Sequence, residues 1–420
     1  MPPDPDQPTD AALSPRIEAS FGAAAPSAFG RATPLVAFVS RTLMVLLLVT
    51  LIAYLGAIAW VLNSDVARGA AFHIDFVAFW AAAKLAVAGE AVVAFDPNAL
   101  VAAQSLAPDA ARHVYMWLYP PSFHLLITPL GLLGFSAAFA IFSTATIGLY
   151  ILALGSWARP VPGGLALAVA APPVGFVLIA GNASLLWVSA LLCALSLLAR
   201  GRPRGAGAMI ALLTLKPQLG LLIPVALIAG RHWRATLWAA IATAAIVALT
   251  IAVFGIGYWF EFFRAMVRAT VAFAPHGANT DTMITWYACA RQFGAGHETA
   301  LALQMLSLAA AAGAVGLLWS RRSVAPDLKL AALLLATLIS TPYAFQYELV
   351  LAVAGALFLA RAGIGHSPAG RAWLAALWLL PVPGWLIGGI EIAHYAAPVL
   401  ALSVAACTVL ALRRPNAAQS

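Results

Sequence analysis

The sequence predicts an all-α polytopic membrane protein, on three observations. Of its 420 residues, 63% are hydrophobic and only 9% are charged, against about 25% charged in a soluble domain. Mean hydropathy is +0.93, far into the range that only a lipid-embedded chain sustains. The apolar runs are continuous and rich in Leu, Ala and Val, whereas barrel strands alternate in character over about ten residues.

Residues 1–34 are dominated by Pro, Ala, Ser and Asp without apolar periodicity, which predicts a disordered cytoplasmic tail. A signal peptide is not expected, because the first apolar segment starts too late and runs too long. Residues 35–62 form a first spanning helix with Arg31 and Arg41 on its inner side. Residues 63–115 then hold much of the charge, including Asp65, Arg68, Asp75, Lys84, Glu90, Asp96, Asp109 and Arg112. Within them, 76–88 and 97–106 read as short amphipathic helices, too short to span. The expectation is a structured outer loop lying on the membrane.

Further apolar segments follow near 121–133, 135–155, 162–180, 182–199, 205–230, 235–256, 298–319, 328–345, 347–362, 372–390 and 394–412. This makes about twelve in a transmembrane domain of residues 35–412, followed by a short cytoplasmic tail, 413–420. Arg231/Arg234, Arg321/Arg322, Arg361/Arg371 and Arg413/Arg414 fall between segments on one side, which the positive-inside rule makes cytoplasmic. The connections 257–297, 341–346 and 391–394 then lie outside, with Asp75. Residues 119–230 admit two readings. If all five segments cross, Arg200–Arg204 lies outside, against the rule. If Arg200–Arg204 is inside, 205–230 is a re-entrant hairpin bent at Lys216-Pro217, and one of the four earlier segments does not cross.

The net charge of +8 is not a nucleic-acid signal, because the cations sit in short clusters between apolar segments. Cys193, Cys289 and Cys407 are far apart and read as packing residues. There is no GxxxxGK[ST], no HExxH, no Cys/His ligand spacing and no GxSxG, so no nucleotide, metal or other cofactor is expected.

The candidate chemistry rests on a few polar residues. Asp75 stands in Phe72-His73-Ile74-Asp75-Phe76 just beyond the first spanning helix. It is either a solvated loop carboxylate or a general base whose pKa the aromatic surroundings raise. Lys216-Pro217-Gln218 interrupts an apolar segment. A lysine there costs about 2.5–3.5 kcal/mol on insertion scales, so function or internal pairing must account for it. A cation at a broken helix suits a phosphate. Glu348, in Thr341-Pro342-Tyr343-Ala344-Phe345-Gln346-Tyr347-Glu348, enters the next apolar run and is costly unless paired, and Lys216 is one conceivable partner. The motif also reads as an interfacial aromatic belt. Tyr119-Pro120-Pro121 opens a segment as an ordinary entry turn, and Gly181-Asn182 is a turn between helices; Tyr119 and Asn182 could also line a sugar site. The outer connection 257–297 carries Glu261, Arg264, Arg268, His276, Asn279, Asp281, Trp286 and Arg291 and is polar enough to cap a site. Glu391 and His394 are weaker candidates.

In this order, Asp75-Phe76, Tyr119-Pro120-Pro121, Gly181-Asn182, Lys216-Pro217-Gln218 and Thr341-Pro342-Tyr343 with Tyr347 and Leu349 resemble the bacterial glycosyltransferase family 87 of the GT-C superfamily. The resemblance covers about residues 35–410. It implies a GT-C-like bundle in the bacterial inner membrane with an active site on the extracytoplasmic face. The donor would be a polyprenyl-phosphate sugar, with mannose as the family default, and the acceptor a glycan or glycolipid. By analogy Asp75 is the catalytic aspartate of the first outer loop, and Lys216 occupies the family's Lys-Pro position. Lys216 and Arg291 would hold the donor phosphate. Tyr119, Asn182, Gln218, Tyr343, Gln346 and Glu348 would line the substrate site. Relatives often carry an acidic residue or histidine at the position of Gln346 and Asp at that of Glu348, a departure in this chain. The residue pattern also admits a transporter or flippase for a lipid-linked sugar, since broken segments with intramembrane charge are transporter features, and a structural subunit of an envelope complex.

Overall fold

The computed structural model describes residues 74–107, 115–276, 280–386 and 391–413. The expected disordered tail 1–34 and first spanning helix 35–62 lie outside these residues, as does the end of the chain from 414. Among the described residues the chain is helical without a strand, apart from one isolated bridge between Met283 and Phe345.

The elements run α1 Ile74–Val87, α2 Pro97–Gln104, α3 Pro121–Ile127, α4 Phe135–Ala158, α5 Gly164–Val169 and α6 Pro172–Ala180. They continue with α7 Ser184–Ala199, α8 Pro203–Ala211, α9 Ile223–Ala229, α10 Trp233–Phe254, α11 Ile256–His276 and α12 Trp286–Gln292. The chain closes with α13 His297–Ser320, α14 Pro326–Ile339, α15 Val350–Arg361, α16 Pro368–Trp378, α17 Val382–Leu386 and α18 Ala393–Arg413. Four of these, α4, α10, α13 and α18, are long and apolar enough to cross a membrane. At 1.5 Å per residue each is about 31–36 Å long, enough for a hydrocarbon core of about 30 Å. The other expected segments are shorter helices or helix pairs. Residues 162–180 divide into α5 and α6 at Pro172-Pro173, and 328–345 is helical only to Ile339, ahead of Pro342.

Two apolar helices of similar composition have opposite surroundings. α14 is buried along its whole length from Leu328 to Ile339 except Lys329, at the centre of the large core it shares with α15 and α18. α10 buries little beyond Ala235, Ala239 and Thr250 and exposes Leu237, Ile241, Leu249 and Val253. In a membrane protein that exposed face is a lipid-facing one.

The bundle has a basic end and a polar end. At the basic end Arg361 pairs with Asp327 and donates to the carbonyl of Trp157. The indole of Trp319 donates to the carbonyl of Lys329 and meets the His232 ring, and Arg204 lies over Trp238. At the polar end residues 282–285 run antiparallel to 342–346: Ile284 N donates to Ala344 O and Gln346 N to Thr282 O, each at 2.9 Å. Phe293 packs on His394 beside them. The three connections expected outside, 257–297, 341–346 and 391–394, therefore meet at one end, away from the arginine clusters.

This arrangement also chooses between the two readings of 119–230. Arg204 sits beside Trp238 near the start of α10, so 200–204 and 231–234 are at the same end. From there α8 runs up against α7, passes through the turn Leu212–Leu215 to Lys216, and returns through Pro217–Gly220 and α9. That is the hairpin bent at Lys216-Pro217. The segment that stays at the polar end is 121–133. It is only α3 and a 3-10 turn, Thr128–Leu132, laid against α1 so closely that a Cβ on Gly131 would collide with the carbonyl oxygen of Ala83.

The first outer helix differs from the amphipathic reading. α1 is buried from Phe76 to Ala83 without interruption, because its sequence there is apolar on every face. Phe76 packs against Phe135, Phe139 and Phe142 at centroid distances of 5.2–5.6 Å, and Phe79 against Tyr119 and Phe123. Much of the outer connection 257–297 is likewise helical, as α11 and α12.

Candidate active site

Four side chains from four separate parts of the chain converge at the polar end. Asp75 lies in the first turn of α1. Asn182 follows Gly181 at the end of α6. Lys216 is the residue at which the α8–α9 hairpin bends. Glu348 lies in the 3-10 turn Gln346–Leu349 that leads into α15. The Asn182 side-chain amide donates to Asp75 Oδ2. Its Oδ1 accepts from Lys216 Nζ at 3.0 Å and from the Ser184 backbone N–H at 2.8 Å. Lys216 Nζ also contacts Glu348 Oε1 at 2.8 Å and Ser184 Oγ at 3.2 Å, and sits 4.8 Å from the Tyr347 ring centroid.

Each residue is placed by its local sequence. Pro217 disfavours the α conformation for the residue before it, so Lys216 has φ −138° and ψ 79°, and its side chain leaves the helix surface. Gly181 takes φ +62°, and a Cβ there would meet Phe76 Cβ at 2.5 Å; only glycine allows this turn to close on α1. Ser184 makes an Asx-type turn with Asn182 that fixes which way the amide faces. Pro342 ends α14, and Glu348 Oε2 accepts the Phe345 N–H at 2.7 Å.

Lys216 and Glu348 are each 3% exposed, so the conceivable pair is formed and out of solvent. A lysine ammonium has three protons, and here the neighbouring acceptors Asn182, Ser184 and Glu348 account for three. Asp75 remains partly exposed. Burial raises its carboxyl pKa above the ordinary aspartate value, while the amide of Asn182 and the charge of Lys216 pull it back down. The result is a carboxylate with its geometry fixed by a neutral amide, which is itself held by a buried cation.

The other expected residues are placed less tightly. Tyr119 adjoins the cluster, within electrostatic reach of Asp75 and Glu348, and packs edge-on to Phe79 and tilted against Trp117 and Phe123. Gln218 is half-buried in the turn after Pro217. Tyr343 packs with Met283, Ala288 and Ala393 in a neighbouring cluster, and Gln346 is pinned through its backbone to Thr282. Arg291 lies on α12, next to the paired segments, and donates to Ala295 O at 3.0 Å; it is not in contact with Lys216 or Asp75. Tyr347, a residue of the Thr341 motif, and Ser184, which is not among the expected residues, complete the cluster. For Ser184 the available signal was Asn182-Ala183-Ser184, an Asx turn closed by a second polar group. Among the described residues no group of His, Cys, Asp and Glu is arranged to hold a metal ion.

The model of glycosyltransferase family 87 matches residues 117–341, just over half of the chain, from the aromatic stretch before Tyr119 to the start of the Thr341 motif. No curated protein and no solved structure shows a detectable similarity.

Proposed function

The chain belongs to glycosyltransferase family 87, and from that premise we propose that it transfers a sugar from a polyprenyl-phosphate-sugar donor to an extracytoplasmic glycan or glycolipid, with Asp75 as general base and inversion at the anomeric carbon. The observation that carries this reading is the chain of contacts Asp75–Asn182–Lys216–Glu348, which joins the first outer loop to the broken hairpin. Membership of a glycosyltransferase family weighs against the transporter reading of the same broken segment.

In the proposed step the acceptor hydroxyl oxygen attacks the anomeric carbon while Asp75 takes its proton. The bond from that carbon to the phosphate oxygen breaks, and polyprenyl phosphate leaves with the electron pair. General base catalysis of this kind contributes about 10²–10⁴-fold. Asn182 holds the carboxylate in one orientation, and Tyr119 and Tyr347, both within electrostatic reach of Asp75, would border the sugar. Lys216 and Arg291 supply positive charge for the leaving phosphate. A phosphate would reach Lys216 by taking the place of Glu348, its one exchangeable anionic partner. Mannose is the sugar the family resemblance suggests. The basic clusters at the opposite end of the bundle support an inner-membrane orientation with this site outside.

The test uses purified full-length protein in nanodiscs. Wild type and Asp75→Asn are incubated with a panel of polyprenyl-phosphate sugars and membrane lipid extract, and donor loss and new glycosylated product are followed by mass spectrometry. Consumption by wild type alone is expected, and it names the sugar. Undiminished transfer by a folded Asp75→Asn would overturn the role of Asp75; no consumption of any donor would overturn the donor class.

A further inference from the structure

The geometry points to α11 as an interfacial helix that binds the headgroup layer of an anionic phospholipid leaflet at the polar end of the bundle. This inference needs only that the chain is a membrane protein and is independent of the catalytic reading.

α11 carries three stripes. Tyr258, Phe262, Ala265 and Ala269, at helical spacing, are buried against the protein. Tyr258 anchors this side: its hydroxyl accepts from the Trp117 indole at 2.9 Å and contacts His124. Nearly opposite, Ile256, Phe260, Phe263 and Val267 form a second apolar stripe that faces outward. Phe260 and Phe263 are each 59% exposed and Val267 is 64% exposed, too much aromatic area for a helix in water. Between the stripes lie Glu261, Arg264 and Arg268. Arg264 and Arg268 both pair with Glu261, which leaves the edge with one excess positive charge.

The position of α11 says what covers the outward stripe. α10, the spanning helix with the least buried surface, ends at Phe254. Gly255, at φ +80°, turns the chain directly into α11, and the Trp259 indole reaches back to Thr250 Oγ1 at 3.1 Å. Leu249 and Val253 are exposed in the last turns of α10, and the exposed Ile256, Phe260, Phe263 and Val267 begin directly after the turn at Gly255. A lipid-facing surface thus continues past the end of a span, where water meets lipid. An apolar stripe bordered by arginines suits that boundary: the rings enter the acyl margin and the guanidiniums meet lipid phosphates.

Spin labels at Phe263→Cys and Arg268→Cys in the full chain test this, reconstituted in phosphatidylcholine–phosphatidylglycerol bilayers, with the unlabelled parent carrying Cys193, Cys289 and Cys407 as the blank. Power saturation at 263 should show oxygen favoured several-fold over a water-soluble nickel chelate, with the chelate more accessible at 268. Arg264→Gln/Arg268→Gln should abolish the enrichment of phosphatidylglycerol over phosphatidylcholine among lipids retained in native mass spectrometry. Free access of the chelate to 263 would place the stripe in water and overturn the proposal. Protection of 263 from both reagents would also overturn it, by showing protein there, either residues 35–62 or a second copy of the chain. Unchanged lipid enrichment in the double variant would remove the phosphate contact and with it the anionic-leaflet assignment.

Discussion

The hairpin of α14 and α15 carries an ion pair at each end, partly buried at one and fully buried at the other, and the two are built differently. At the basic end Arg361 Nε meets Asp327 Oδ1 at 2.8 Å, Nη1 donates to Trp157 O at 2.8 Å, and the guanidinium lies over the Trp157 ring. This pair is closed: one cation, one anion, and a carbonyl for a remaining proton. At the polar end, roughly 18 Å away along the twelve residues of α15 at 1.5 Å per residue, Lys216 faces Glu348, Asn182 and Ser184, with Asp75 beyond the amide. This second pair is open, with more acceptors than its cation can neutralise. A closed pair ties helices together. An open one sets the orientation and charge of a neighbour, and family membership places it in an enzyme.

The comparison breaks or sharpens with single and paired substitutions. The largest effect expected is from Arg361→Met, which leaves the partly buried Asp327 without its cation and should cost about 3 kcal/mol of stability, the low end for breaking a buried pair. Detergent-denaturation midpoints check this, while transfer per folded molecule should stay near wild type. Arg361→Met/Asp327→Asn should regain much of that loss. Lys216→Met also strands a carboxylate, Glu348, but should in addition lower kcat by roughly 10²-fold, at the low end of a general-base contribution. Adding Glu348→Gln to relieve the stranded charge should restore stability without restoring transfer. Rescue of activity by that double variant would mean that the polar-end pair is as structural as the basic-end one.

The pH profile gives a smaller and more specific signal. A base must be unprotonated to act, and burial raises the Asp75 pKa while Asn182 and Lys216 lower it. Transfer should therefore fall as pH drops through a value above the ordinary aspartate range. Asn182→Ala removes one lowering contact, so the acid limb of kcat/KM should move to higher pH. An unmoved limb would separate Asn182 from Asp75. The smallest effect is expected at Ser184→Ala, which removes a hydroxyl that contacts Asn182, Lys216 and Glu348; at about 1 kcal/mol net it is read as a few-fold loss in kcat with a small drop in melting point.

Much of this was legible in the chain. Lys216 and Glu348 each stand out because a charge in an apolar run must be explained, and their opposite signs make a pair conceivable without fixing it. Asp75 was visible as a carboxylate among aromatics, and the bend at Lys216 was written in Pro217. The partners that make the cluster work were harder to see. Gly181 and Asn182 look like any helix turn until Phe76 is known to lie against the glycine. Ser184 is one serine among many in apolar helices. Tyr119 marks the site only because Phe79 and Trp117 bring α1 beside it. The amphipathic reading of α1 failed for a related reason: charges at Asp75 and Lys84 bracket a stretch that is apolar all round, and such a helix goes inside whatever lies near it.

By itself the sequence determined the helical membrane class, through continuous apolar runs, and the grouping of Arg231/Arg234, Arg321/Arg322 and Arg361/Arg371 at one end, through their placement between those runs. It also determined where helices break, because proline acts on its immediate neighbours. Tertiary structure alone decided which apolar helix faces lipid and which fills the core: α10 and α14 are both hydrophobic on every side, and only their neighbours distinguish them. It alone decided that Asp75 meets Asn182 across 107 residues and Lys216 meets Glu348 across 132. Local periodicity reports which face of a helix is apolar; it holds no information about which distant turn arrives beside it.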